Sequence, residues 1–268
     1  MLLKTNGDIV EYECFGNGPP VILIHSTASS LKQWKHLIQR LKDHYEIIAV
    51  NLFGYGRSTK WSMSRGKQSL FDQVRLFKPL LDKYSEPISF VGHSFGGSVA
   101  MRAALQYQNQ INKLVLLEPN AFFLFDIEVH KEAYQKAREF GNLLRQHEAN
   151  RDWVGFSKIF MTFWIGKHAW ANMNDKQKSS FVKVIPNIFH EAEAIFSENM
   201  SIKEFSKIQE NVLLISARDT NLVSHTVVNI MRQFLPSITH FSIPDGGHMA
   251  PITSPTTINE LIFNYLSQ

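Results

Sequence analysis

The sequence predicts an α/β fold in which a mostly parallel central sheet is flanked by helices. Short apolar runs rich in β-branched residues recur at 21–24, 46–50, 88–91, 113–117, 211–215 and 238–243. Most of these runs carry no polar alternation, as expected of strands buried on both faces. Helical patterns lie between them, and strands alternating with helices of this length mark parallel βαβ units. With 268 residues, 44% hydrophobic and 19% charged, the chain also has ample material for one core.

In chain order, segments 2–4 and 8–14 read as a hairpin joined by Asn6-Gly7, a pair that favours a tight primed turn, and so add an antiparallel edge. The strand at 21–24 leads to a helix over 32–43, where Trp34, Leu37, Ile38 and Leu41 share a face. After the strand at 46–50, a helix over 68–84 aligns Leu70, Val74, Phe77, Leu80 and Leu81. The strand at 88–91 precedes a helix over 95–107, and the strand at 113–117 follows. The stretch 120–207 then breaks the rhythm. Val129, Ala133, Ala137, Phe140 and Leu144 repeat at helical spacing, as do Trp153, Phe156, Phe160, Phe163 and Trp164. This stretch is expected to be a helical cap inserted into a core made of 1–119 and 208–268. Alternation resumes after residue 211, with helices near 224–235 and 255–266.

Charge and cysteine usage exclude several function classes. The net charge is +4 and the pI about 9.0, but Lys and Arg are interleaved with Asp and Glu, so no basic stripe for nucleic acid exists. Cys14 is the only cysteine, which excludes an intramolecular disulfide, a cysteine-based zinc cluster and a CxxC redox pair. The first 13 residues turn polar after Leu3 and lack the apolar stretch of a signal peptide. No run approaches the roughly 18 apolar residues that span a bilayer. A cytoplasmic protein is expected, a monomer or homodimer acting on a small molecule, without stable membrane insertion.

The chemistry concentrates at Gly92-His93-Ser94-Phe95-Gly96-Gly97, between the strand at 88–91 and the following helix. GxSxG at such a junction places the serine on a sharp strand-to-helix turn, with its hydroxyl above the sheet and a helix N-terminus beneath a developing oxyanion. Serine needs a neighbouring base, usually a histidine oriented by a carboxylate. Of the 11 histidines, His248 alone follows the last strand on a Gly-rich loop, Pro244-Asp245-Gly246-Gly247, at the sheet end where α/β sites lie. It is the expected base.

The strand-elbow-helix around GHSFGG, together with VILIHS at 21–26, NLFGYGRS at 51–58, ARDTNLV at 217–223 and DGGHMAP at 245–251, resembles the α/β-hydrolase superfamily. That resemblance covers nearly the whole chain apart from 120–207. It implies Asp219, just beyond the strand at 211–215, as the acid; Glu118 is the rival, because some members take the carboxylate from the earlier strand. It implies an oxyanion hole made by the N–H groups of Phe95 and Thr27, with Ser26 as the alternative. Ser26 stands where relatives usually carry glycine, and the turn at 51–58 reads as structural.

A serine at the elbow argues against the aspartate-dependent dehalogenases and epoxide hydrolases of this superfamily. The expected function is a carboxylesterase cleaving a small to medium hydrophobic ester through an acyl-enzyme. The alternatives are a carbon–carbon bond hydrolase of the meta-cleavage-product type and a slow-turnover hydrolase-fold receptor or binding protein. The mechanism requires no cofactor and no metal. His25, read as a prop at its strand end, and Phe123, Trp153, Phe160, Trp164 and Met249 are expected to border the substrate pocket, although aromatic stripes of this kind also serve simply as core.

Overall fold

A computed structural model describes all residues except 6, 209, 210, 236 and 237. Eight strands form one sheet: β1 (Leu2–Thr5), β2 (Asp8–Phe15), β3 (Pro20–Ile24), β4 (Glu46–Val50), β5 (Ile88–His93), β6 (Ile111–Leu117), β7 (Asn211–Ala217) and β8 (Ile238–Ile243). Their spatial order is β1-β2-β4-β3-β5-β6-β7-β8. β3 to β8 run parallel, whereas β2 pairs antiparallel with both β1 and β4. The α/β class with its antiparallel edge is therefore as the sequence predicts. Of the turn expected at Asn6-Gly7, Asn6 lies outside the described residues.

Alternation along the strands sends successive side chains to opposite faces. Ile22, Ile24, Phe90, Leu114 and Leu116 pack in one apolar cluster with helices α2 (Leu70–Leu81), α3 (Phe95–Gln106) and α9 (Leu222–Phe234). Val21, Leu23, Val91, Val115 and Leu117 pack in a second cluster with α1 (Lys35–Leu41) and α11 (Pro255–Leu266). Both faces are covered, so β3 is buried along its whole length. Complete burial of each such Val, Leu or Ile contributes about 1.5–3 kcal/mol, which holds the C-terminal strand ends rigidly in place.

Between β6 and β7 the chain carries α4 (Lys131–Ala149), α5 (Trp153–Trp164), α6 (Asp175–Val184), α7 (Asn187–Ser197) and the short α8 (Ile202–Phe205). Four residues, α10 (Ala250–Thr253), precede α11. The α4 stripe differs from its sequence reading at one end. Val129 is 74% exposed, because the Asp126 carboxylate accepts the N–H groups of Glu128 and Val129 in a turn and delays the helix. Among the described residues, no helix is long and apolar enough to cross a membrane.

Candidate active site

The C-terminal ends of β5 and β6 and the loops after β3, β7 and β8 converge on one cleft. Ser94 sits between β5 and α3 at φ 54°, ψ −118°, a conformation that costs a non-glycine residue of order 1–3 kcal/mol and is held by its surroundings. The Ser94 N–H donates to Leu117 O at 3.0 Å, tying the turn to β6. Gly92 and Gly96 permit the turn: a Cβ at Gly92 would collide with the Gly96 carbonyl, and one at Gly96 with the carbonyls of Ile24 and His25. The hydroxyl is thereby lifted above the sheet at the first turn of α3, as the sequence predicts.

Ser94 Oγ–H donates to His248 Nε2 at 2.8 Å. On the other side of the ring, His248 Nδ1–H donates to Glu118 Oε2 at 3.0 Å. Glu118 is the residue after β6, only 4% exposed, and its side chain is fixed by Ala217 N–H at 2.8 Å and the Thr220 hydroxyl at 2.6 Å. The carboxylate bonded to His248 is therefore that of Glu118, which corrects the expectation that Asp219 would hold that place. Asp219 instead accepts from Gly247 N–H at 2.8 Å and Gly246 N–H at 3.3 Å, so its oxygens brace the loop that carries the histidine.

The loop after β3 holds Ser26, Thr27 and Ala28 against the cleft. Ser26 does more than occupy a glycine position: its N–H (3.0 Å) and its hydroxyl (2.9 Å) both donate to Gln33 Oε1. Gln33 Nε2 donates in turn to His93 Nδ1 at 3.1 Å, and His93 Nε2–H donates to the His248 carbonyl at 2.9 Å. A largely part-buried chain of bonds thus joins this loop to the loop that carries His248. Ala28 N–H donates to the Tyr55 hydroxyl at 2.9 Å. Since Ser26 and Ala28 have partners, Thr27 and Phe95 are left with N–H groups that meet no acceptor among the described residues. Ser26 is thereby removed as the alternative donor.

Both histidines in this framework are neutral props. His25 Nδ1–H donates to Ser26 O at 2.7 Å and its Nε2 accepts from Leu52 N–H at 3.2 Å. Burial pushes His25 down to about 4, and burial together with the neighbouring His248 pushes His93 down to about 3. His25 does not border the cleft.

Phe160, Trp164 and Met249, three of the residues expected at the pocket, line the cleft, and Ile165, Phe181 and Ile252 join them around a cavity of about 90 Å³. The Trp164 ring lies over His248, with centroids 4.3 Å apart and planes 32° from parallel. Trp153 does not reach this space. It starts α5, and the 11 residues to Trp164 set the two about 16 Å apart along the axis. Phe123 is also absent from the cleft, because in its tight turn the preceding Phe122 takes the inward direction.

Glu191 of α7 is a group that the sequence reading did not single out. Buried to 3% exposure, it accepts from the Thr27 and Tyr55 hydroxyls at 2.6 Å each. Burial raises its carboxyl from 4.5 to about 7, against the lowering effect of the two hydroxyls. Between those values the folded chain holds a proton that the unfolded chain has lost. The contribution is therefore complete below about pH 4.5 and declines as pH rises to about 7, by roughly 3 kcal/mol. Glu191→Gln removes this decline. Urea unfolding should show the variant gaining on wild type by about that amount between the two pH values.

A family model described as alpha/beta hydrolase fold matches residues 19–255. The cis-3-alkyl-4-alkyloxetan-2-one decarboxylase of Shewanella oneidensis is 32% identical over 126 residues, 46% of this chain and 40% of that protein. Five curated relatives, this one among them, are matched over only 28 to 40% of their own length. The pimeloyl-(acyl-carrier protein) methyl ester esterase of Nitrosomonas europaea is 25% identical over 91% of this chain and 94% of its own. Among solved structures, the alpha/beta hydrolase MGS-M2 from a Medee basin deep-sea metagenome superposes with a TM-score of 0.84 over 100% of this chain and 98% of that one. At 18% identity this last likeness speaks for the fold alone. With the family match spanning most of its length, the chain belongs to the alpha/beta hydrolase fold family.

Proposed function

We propose that the protein is a serine carboxylesterase acting on small to medium hydrophobic esters through an acyl-enzyme on Ser94. The observation that carries this reading is the continuous path from Ser94 Oγ through His248 to Glu118, with bonds of 2.8 and 3.0 Å. His248 takes the proton as Ser94 Oγ attacks the ester carbonyl, and Glu118 stabilises the imidazolium that forms. The N–H groups of Phe95 and Thr27 hold the oxyanion, each contributing about 10² to 10³ in rate. Collapse of the tetrahedral intermediate expels the alcohol with the proton from His248, and water repeats the sequence to release the acid. The Trp164 ring packs against the imidazole face and helps hold its orientation.

The helices between β6 and β7 act as a cap, placing Phe160, Trp164, Ile165 and Phe181 over the nucleophile. A methyl ester esterase is similar over 91% of the chain at 25% identity and a 2-hydroxy-6-oxo-6-(2'-aminophenyl)hexa-2,4-dienoic acid hydrolase over 99% of it at 24%, so these relatives support ester and carbon–carbon cleavage alike. A cavity of about 90 Å³ holds a short acyl group but not a long one. With p-nitrophenyl esters, kcat/KM should peak between acetate and hexanoate and fall at least about tenfold by decanoate, each excess methylene losing burial worth about 0.8 kcal/mol. A rise through decanoate contradicts the small pocket. Absence of turnover across the series, with cleavage of a vinylogous 1,5-diketone, replaces the reading by carbon–carbon hydrolysis.

A further inference from the structure

Behind the cleft lies a second cavity of about 30 Å³ that shares Thr27, Phe160 and Trp164 with it. Apart from Thr27, its only polar lining residues are Asn120 and Glu191, at 9% and 3% exposure. Asn120 Oδ1 accepts from the Ser98 hydroxyl at 2.9 Å, which leaves Nδ2 as a donor without an acceptor among the described residues. Each Glu191 oxygen accepts one hydroxyl, and a carboxylate oxygen has a further lone pair to offer. The cavity is thus lined by one residue with an open donor and one with acceptor capacity to spare, in otherwise apolar surroundings where an unpaired polar group is costly.

The chemistry of that pair is selective. A ketone only accepts, an ammonium only donates, and a carboxylate only accepts and is repelled by Glu191. A methyl group leaves Asn120 Nδ2 unpaired and adds no donor to Glu191, whereas a hydroxyl donates and accepts at once. The space admits one small group, and Thr27, Phe160 and Trp164 border both this cavity and the cleft that holds Ser94.

We infer that this cavity is a specificity subsite for hydroxyacyl esters, the substrate hydroxyl donating to Glu191 and accepting from Asn120 Nδ2. A carboxyl whose proton affinity burial has raised gains from one more donor, in keeping with this role. The inference rests on the esterase reading, and its test separates the two. For wild type at about pH 8.5, above the raised Glu191 value so that the group is an ionised acceptor, kcat/KM with ethyl 3-hydroxybutanoate should exceed that with ethyl butanoate and ethyl acetoacetate by at least about tenfold. Glu191→Leu should bring this ratio close to one, whatever happens to the absolute rates.

A wild-type ratio of one or below overturns the inference. So does a Glu191→Leu protein that is slower on all three esters with the ratio preserved, since Glu191 would then only anchor Thr27. If wild type cleaves none of the three, the esterase reading fails, and the subsite is judged by binding alone. Ser94→Ala should then bind the hydroxy ester about tenfold more tightly than the other two, read by tryptophan fluorescence, and lose that preference with Glu191→Leu added. Equal binding of the three esters overturns the subsite.

Discussion

Glu118→Gln should lower kcat/KM for a good ester by about 10⁴, whereas Asp219→Asn should cost less than about tenfold. The asymmetry follows from which atom each carboxylate faces. Glu118 accepts the Nδ1 proton of His248 at 3.0 Å, so it both fixes the tautomer that leaves Nε2 free to take the Ser94 proton and balances the imidazolium. A glutamine amide in its place donates to Nδ1, moves the proton to Nε2 and removes the base. Asp219 faces the N–H groups of Gly246 and Gly247, and an asparagine still accepts one of them. Steady-state kinetics on the two variants, with circular dichroism to verify folding, decides between them. The reverse ranking would return the acid to the β7 loop.

Ser94→Ala should lower kcat by about 10⁶, leaving only the residual acceleration from binding and oxyanion stabilisation. The loss would not come from misfolding. Ser94 already occupies φ 54°, and alanine meets the same backbone cost without a new one. The neighbouring bonds of the elbow run through the Ser94 backbone to Leu117, Gly97 and Ser98, and alanine retains them. A thermal midpoint within a few degrees of wild type, with turnover gone, is the expected pair of results. Retained turnover would move the nucleophile elsewhere.

The fold was legible because its information is local. β-branched runs such as 21–24 and 46–50 declare buried strands, and the glycines around Ser94 declare an elbow through the room they leave. The acid was not legible for a topological reason. β6 and β7 are parallel neighbours, with Leu117 opposite Ile215, so the carboxylates just beyond them end in one place. Which of them reaches the histidine depends on side-chain length and on which backbone N–H groups compete, and no motif encodes that.

The supporting contacts are hidden by distance along the chain. Glu191 meets Thr27 across 164 positions and Tyr55 across 136, so neither its burial nor its partners leave a local pattern. Ser26 looked like a departure from glycine until Gln33 supplied the acceptor for both its donors. The aromatic stripe of α5 was visible, but only Phe160 and Trp164 of its predicted pocket residues turn to the cleft, because helix length separates Trp153 from it. A stripe reports one buried face, not which part of that face meets a ligand.

The most direct test of Ser94 as an activated nucleophile is intact-mass and peptide mass spectrometry after treatment with a fluorophosphonate. One adduct per chain, carried by the peptide containing Ser94, absent in Ser94→Ala and formed far more slowly in Glu118→Gln, is the predicted result. An adduct on another residue, or an unlabelled protein that still hydrolyses esters, would contradict it.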